Sequence, residues 1–252
     1  MTEPMLKVVG LVKRFGGVVA TDDVHFDVTP GELHAIIGPN GAGKTTFVAQ
    51  IAGQLRPDSG TIHFDNIDIT HLTTPQRSAR GLARSFQITS IFKDFSALQN
   101  VALAIQAHDG HSFRFWRPAA KDRSLMEPAR EILARVGLEA RAHVLGGNLA
   151  HGEQRQLEIA MALATKPKML LLDEPMAGMG ADDSERMTRF LATLKRTYTI
   201  LLVEHDMDAV FALADRITVL VYGRRIATGT PPEIRGNAEV RAAYLGEESV
   251  NA

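Results

Sequence analysis

Short apolar runs rich in β-branched residues recur along the chain. They predict strands at residues 6–9, 18–28, 33–37, 61–64, 169–172, 199–203, 217–222 and 225–228. Most are bounded by Gly, Pro or Asp, the residues that turn a chain out of a sheet. Elsewhere the apolar positions change to spacings of three and four, the repeat of one helix face. Val48, Ile51, Ala52 and Leu55 predict one helix, and Leu98, Val101, Ala102 and Ile105 a second. Ala129, Ile132, Leu133 and Val136 predict a third, Leu157, Ala160, Met161 and Ala164 a fourth, and Met187, Phe190, Leu191 and Leu194 a fifth. Strands and helices interleave toward both ends of the chain, which predicts a mainly parallel α/β core. Residues 88–165 carry helical spacing and no convincing strand, so they read as a helical lobe inserted into that core. Nothing repeats with a period of about 20–50 residues, which excludes a solenoid.

Composition narrows the class without changing the architecture. A length of 252 residues suits one large domain, or two small lobes sharing a core. With 45% hydrophobic and 23% charged residues, a disordered, coiled-coil or fibrous chain is excluded. Lys+Arg 28 against Asp+Glu 29 leaves a net charge of -1, which argues against a whole-protein electrostatic grip on nucleic acid. The absence of cysteine removes disulfides, iron–sulfur ligation, thiol catalysis and cysteine zinc sites together. No apolar run approaches the ~18–20 residues of a membrane span. The first residues carry Glu3 and Pro4 and no apolar leader, so no signal peptide is expected. The chain reads as soluble and cytoplasmic, and any membrane role would run through a partner.

The strongest chemical signal is Gly38-Pro39-Asn40-Gly41-Ala42-Gly43-Lys44-Thr45, which fits G-x-x-x-x-G-K-[ST]. It follows an apolar strand and opens an amphipathic helix, the context the motif requires. Glycines let successive backbone N–H groups converge on one point as an anion nest. The helix N-terminus adds about half a positive charge there. Lys44 supplies a mobile charge for β- and γ-phosphates, and the Thr45 hydroxyl is placed to ligate Mg²⁺. A second signal is Met169-Leu170-Leu171-Leu172-Asp173-Glu174, an apolar strand ending in two carboxylates. Ligand groups belong at the carboxyl end of a buried parallel strand. Asp173 can hold Mg²⁺ through water opposite Thr45. Where the chain leaves the pleat, Glu174 can turn toward the nucleotide as general base for an attacking water. Alone, this pair would read as an exposed turn; beside the phosphate loop it reads as a metal and water site. Gln87 and His205 also sit where apolar runs end, and neither signal is strong by itself.

Leu149-Ala150-His151-Gly152-Glu153-Gln154-Arg155-Gln156-Leu157-Glu158, just upstream of the Asp173 strand, resembles the signature motif of ATP-binding cassette (ABC) ATPases. The resemblance spans nearly the whole chain. Gly38 to Thr45, with Thr46 after it, matches the family's Walker A motif, Gln87 its Q-loop, and Asp173-Glu174 its Walker B end. His205 matches the switch histidine, and Phe15 in Lys13-Arg14-Phe15-Gly16-Gly17 the aromatic that stacks on adenine. The resemblance implies a P-loop NTPase (RecA-like) core with an N-terminal antiparallel β subdomain and an inserted helical subdomain. The core and β subdomain would occupy about 1–87 and 166–252, and the helical part about 88–165, within one domain spanning 1–252.

It also implies the chemistry: ATP and Mg²⁺ as cofactors, Glu174, His205 and Gln87 as catalytic residues, and Thr45, Gln87 and Asp173 around the metal. Phe15 and Gly38, Pro39, Asn40, Gly41, Ala42, Gly43, Lys44, Thr45 and Thr46 would bind ATP. Leu149, Ala150, His151, Gly152, Glu153 and Gln154 would contact the ATP of a second subunit. Implied partners are that second ABC ATPase subunit, in a homo- or heterodimer, integral membrane permease subunits and, indirectly, a periplasmic binding protein, with no nucleic acid. The chain would sit on the cytoplasmic face of the membrane through the permeases.

Phe86-Gln87, the signature segment, Glu204-His205-Asp206-Met207 and Ala243-Tyr244-Leu245-Gly246-Glu247 resemble the ATPases of branched-chain amino-acid (LIV-type) importers, a group that also serves urea, amides and aromatic acids. A lipopolysaccharide-export ATPase is similar over the same stretches, and a soluble non-transport ABC ATPase is a further alternative. Two positions depart from the family pattern. The signature serine is Ala150, and the loop after Glu174 ends in Gly180, which lacks a side chain. Residues 111–118 gather Phe113, Phe115 and the single Trp116 among arginines. They read as a variable loop before they read as a membrane or permease contact.

Overall fold

The computed structural model describes residues 3–84, 91–108 and 122–248, with side chains given up to Ala243. Two sheets form its frame. The first joins β1 (Leu6–Phe15), β2 (Val18–Val28), β4 (Ser59–Phe64) and β5 (Ile67–Asp68) in the order β2-β1-β4-β5, all antiparallel. The second has the order β10-β9-β3-β8-β7-β6, built from β3 (Leu33–Ile37), β6 (Leu82–Arg84), β7 (Met169–Asp173), β8 (Thr199–Val203), β9 (Arg216–Val221) and β10 (Arg224–Gly229). Its pairings are parallel except for the β9–β10 hairpin. This is the α/β core that the residue pattern predicted, with the separate antiparallel sheet that the resemblance implied.

The central strands are buried on both faces, which is why β3, β7 and β8 read as unbroken apolar runs. Alternation divides their side chains between two cores. Leu170, Leu172, Ile200, Leu202, Ala35 and Ile37 enter the core shared with α3 (Ala97–His108), α4 (Arg123–Arg135), α5 (His151–Ala164), α6 (Ala181–Leu194) and α7 (Met207–Leu213). Leu171, Leu201, Val203 and Ile36 enter the core closed by the antiparallel sheet, with α1 (Lys44–Ile51) between the sheets. Among the described residues of 88–165 the only β pairing is an isolated bridge between Ser96 and Leu145.

Several elements differ from their sequence pattern. β1 runs on to Phe15 rather than stopping near Val9, because Arg14 and Phe15 pair with Val19 and Val18 across a hairpin. β6 and α2 (Thr74–Ala79) are short, with too few apolar positions to show a period. α1 ends at Ile51 and excludes Leu55. Gly53 turns left-handed at φ 78°, and the last helical carbonyls are taken by a side chain.

That side chain is Arg77, on α2. Its guanidinium is buried and donates to the carbonyls of Gln50 (2.7 Å), Ile51 (2.6 Å), Thr70 (3.0 Å) and Leu72 (3.0 Å). Burial pulls the guanidinium down from its ordinary value to about 10, so it still carries its charge near neutrality. A cation there also suits the negative end of the α1 dipole. Arg77→Met would leave four carbonyls without this donor, each buried acceptor costing about 1–3 kcal/mol less whatever relaxation recovers. The expected loss is about 3 kcal/mol or more in urea unfolding; a loss below about 1 kcal/mol would show that water replaces the guanidinium.

Candidate active site

The glycine-rich sequence is the connection from β3 to α1, and two of its glycines are fixed by contact. Gly43 has φ 94°, and a Cβ there would lie 2.1 Å from the Ala20 carbonyl oxygen of β2. A Cβ on Gly38 would lie 2.1 Å from the carbonyl oxygen of Leu220 in β9. The loop is therefore wedged between the two sheets. The Gly223 N–H at the β9–β10 turn donates to the Ala42 carbonyl at 3.0 Å and completes the wedge. Gly43 offers no side-chain cap to α1, and the positive end of that helix points out of the loop, where an anion is favoured. Asn40, Gly41 and Thr45 are exposed, Pro39 and Thr46 half-buried and Ala42 buried. The Lys44 ammonium folds back over the loop and donates to the Gly38 and Pro39 carbonyls, the latter at 2.9 Å.

Strand register brings the other groups to the same level. Asp173 of β7 is level with Val203 of β8, and Val203 with Ile36 of β3. The residues that follow, Glu174, Glu204-His205 and Gly38, leave the sheet along one edge. Asp173 is buried and paired with the Arg84 guanidinium of β6 at 2.7 Å. Glu174 takes a left-handed conformation, φ 48°, and its N–H donates to the Val203 carbonyl at 2.8 Å. That conformation carries its side chain out of the β7 alternation. The His205 ring is exposed. Before it, the carboxylate of Glu204 is buried, accepts N–H bonds from Met176 (2.8 Å) and His205 (3.0 Å), and is pushed up from the usual carboxylate range by that burial. Asp206 next caps α7, accepting from the N–H groups of Asp208 and Ala209, and takes the Ser184 hydroxyl of α6 at 3.2 Å.

Phe15 stands half-exposed at the β1–β2 hairpin, on the strand pair that carries Ala20 against Gly43, with the Lys13 ammonium 5.6 Å from its ring centre. The signature segment lies elsewhere. Leu149 is buried, while Ala150 and His151 are exposed at the start of α5. Ala150 is the N-cap residue and has no oxygen to give. Only half of a capping box forms, the Glu153 carboxylate accepting the Ala150 N–H at 3.0 Å. Gln154 donates to the Leu149 carbonyl at 2.9 Å. The groups beside Gly152 and His151 are Asp183 of α6 and Gly178 of the loop after β7, not the phosphate loop. Gln87 and residues 111–118 fall outside the described residues.

Thr45 and Asp173 offer oxygen donors only, the chemistry of a hard cation. Among the described residues no group of three His, Cys, Asp or Glu forms a ready metal cage. Mg²⁺ keeps several waters and is held by one or two protein oxygens with substrate phosphates, and Thr45 and Asp173 are donors of that kind. The residues present therefore fit that ion. Sequence reasoning assigned no role to Arg84 or Glu204. The available signal was a single charged residue closing each of two apolar runs, Leu82-Ala83-Arg84 and Ile200 to Glu204.

Known proteins are similar to this chain in sequence and in fold. A family profile described as ABC transporter matches residues 21–177, and a second, described as Branched-chain amino acid ATP-binding cassette transporter, matches residues 224–250. The high-affinity branched-chain amino acid transport ATP-binding protein BraF of Pseudomonas aeruginosa is 39% identical over 98% of this chain and 100% of its own length. The lipopolysaccharide export system ATP-binding protein LptB of Escherichia coli is 34% identical over 94% of this chain and 95% of its own. The ADP conformation of MJ1267, an ATP-binding cassette of an ABC transporter, superimposes with a TM-score of 0.85 at 31% identity, covering 97% of this chain and all of that one.

The wedge around Gly43 generates a direct test. Gly43→Ala adds a methyl into the Ala20 carbonyl at a backbone conformation costing about 1–3 kcal/mol for an L side chain. The variant should melt lower and lose binding of a fluorescent ATP analogue. Unchanged melting and binding would mean that the loop is not held between the sheets.

Proposed function

This chain belongs to the ABC transporter family, whose ATP-binding proteins are ATPases, and from that premise we propose that it powers import of branched-chain amino acids or a chemically related small solute. The observation that carries the ATPase part of the proposal is the meeting of the phosphate loop, Asp173-Glu174 and His205 at the carboxyl ends of three neighbouring parallel strands. In this reading backbone N–H groups of the glycine-rich loop and the α1 N-terminus hold the ATP phosphates, with Lys44 leaving its two loop carbonyls for them. Phe15 stacks on adenine. Thr45, Asp173 and Gln87 would hold Mg²⁺, which would supply charge neutralisation on the phosphates when bound. Glu174 accepts a proton from the attacking water, and His205 steadies the γ-phosphate. Nothing in these steps requires a covalent intermediate, so catalysis rests on positioning and charge.

The placement of α5 supports a second subunit in the cycle. Its exposed N-terminus is an anion site that lies beside Gly178 and Asp183 of its own chain. Residues Leu149 to Gln154 would therefore meet the ATP of a partner cassette, closing a head-to-tail dimer that hydrolysis reopens. Permease contact is supported by an apolar cavity of about 240 Å³ lined by Ala52, Ser78, Leu82, Arg84, Met161 and Ala162. Nearby in sequence, after Arg84, the rings of Phe92 and Phe95 are exposed, 5.5 Å apart. An apolar helix of a membrane subunit would fill such a groove, and a periplasmic binding protein would act on that subunit from the other side. Among the described residues no helix is long and apolar enough to cross a membrane, so the chain would sit on the cytoplasmic face through those permeases. The import reading is favoured over lipopolysaccharide export by the higher identity to BraF than to LptB and by the match at residues 224–250.

Glu174→Gln keeps the shape of the side chain and removes the base. ATP should still bind, and hydrolysis should fall by about 10²-fold or more. Cells carrying only this variant should lose uptake of labelled leucine or of the related solute. Normal turnover would exclude Glu174 as the base. Normal ATPase loss with unchanged leucine, urea, amide and aromatic-acid uptake would exclude the import assignment alone.

A second prediction concerns Ala150, where a hydroxyl is missing at the partner's γ-phosphate. A hydrogen bond to a charged group contributes about 1.5–3 kcal/mol. Ala150→Ser in a Glu174→Gln background should therefore tighten the ATP-bound dimer in sedimentation across protein concentrations. If His151 already supplies the donor, His151→Ala will weaken the dimer instead. A dimer equilibrium moved by neither substitution would place this segment away from the γ-phosphate.

A further inference from the structure

Glu204 is the one ionisable residue that follows the buried run of β8 directly, and its side chain is fully covered. A carboxylate in such a place is costly unless its oxygens are satisfied. Among the described residues its one ion-pair contact within 4 Å is the His205 ring, at 3.6 Å. What satisfies it is backbone. Oε1 accepts the Met176 N–H at 2.8 Å and Oε2 accepts the His205 N–H at 3.0 Å.

These two donors belong to different loops. Met176 lies two residues beyond Glu174, in the turn closed by the Ala177 N–H donating to the Glu174 carbonyl at 3.1 Å. His205 opens the loop after β8. The turn is thus held to the end of β8 at two points, by the Val203 carbonyl on the Glu174 N–H and by the Glu204 carboxylate on the Met176 N–H. Between those points Glu174 keeps a left-handed conformation that a non-glycine residue holds only when its surroundings over-determine it.

We propose that Glu204 is a positioning residue for ATP hydrolysis: its two oxygens join the turn carrying Glu174 to the backbone of His205, so that base and histidine are set as one unit. This rests on the reading of Glu174 as the base. The chemistry demands a two-oxygen acceptor. A glutamine at this site accepts one N–H and presents its own NH₂ to the other, donor against donor. One of the two loops then loses its anchor while the side-chain volume stays the same.

Glu204→Gln should leave ATP affinity within about threefold of the parent and lower kcat by about tenfold or more, measured well below the melting temperature of the variant. A role in packing alone would lower the melting temperature and leave kcat within about threefold, which would overturn the proposal. Should the glutamine variant not fold, Glu204→Asp keeps both acceptors but withdraws them by one methylene, and the same separation of kcat from affinity is expected. Two controls keep the readings apart. Glu174→Gln that still turns over overturns the base assignment itself, whereas inactive Glu174→Gln with fully active Glu204→Gln overturns only the positioning role. In the double variant, the Glu204 substitution should cost markedly less than it does alone, because the base it positions is already gone and only the setting of His205 remains to be lost. A further tenfold drop, of the order expected for an independent site, would also contradict the proposal.

Discussion

Parallel pairing of β3, β8 and β7 in one fixed register is the constraint from which the site follows. It sets Ile36, Val203 and Asp173 level, and a parallel strand can release its next residues only at its carboxyl end. Three loops of unrelated sequence must therefore emerge side by side. Because each strand is buried on both faces, a one-residue slip would move every side chain from one core to the other. The same burial that stabilises the sheet thus fixes the relative height of the phosphate loop, the carboxylate pair and the histidine.

Polar side chains then adjust what the register has placed. Arg77 closes the far end of α1, Arg84 holds Asp173, and Glu204 and Asp206 stitch the loops after β7 and β8 together and to α6. Each is a charged group, and Arg77, Asp173 and Glu204 lie almost wholly inside. Such groups are tolerated because every one meets a carbonyl, an N–H or an opposite charge. The antiparallel sheet adds a different contribution. It brings Phe15 to the edge of the site, and with Ala20 it presses on Gly43, so the phosphate loop is shaped by a sheet from which it does not itself derive.

Much of this was legible along the chain. Long apolar strands and strongly periodic helices announce themselves, and the glycine spacing of residues 38–45 carries its own physical reason. α2, α7 and β6 were not visible through apolar spacing because they are too short for a period to register. Their signals lay in other features, such as the Thr73 cap with Gln76 three residues on and the Asp206 cap before Met207. Arg84 and Glu204 were hidden for another reason. Their importance depends on which strand lies beside which, and only the sheet order reveals that. The assignment of residues 149–154 to a second subunit was implied by the resemblance, and the structure sets His151 and Gly152 beside Gly178 and Asp183 of their own chain.

On the proposed reading this chain holds one half of each ATP site and a second cassette supplies the other. A crystal or cryo-electron structure of the Glu174→Gln chain with Mg²⁺ and ATP tests it most directly. The expected result is a head-to-tail pair in which Ala150 to Gly152 of one subunit face the γ-phosphate held by Gly38 to Thr45 of the other. ATP enclosed within a single chain, or a pair joined with residues 149–154 turned to solvent, would contradict it.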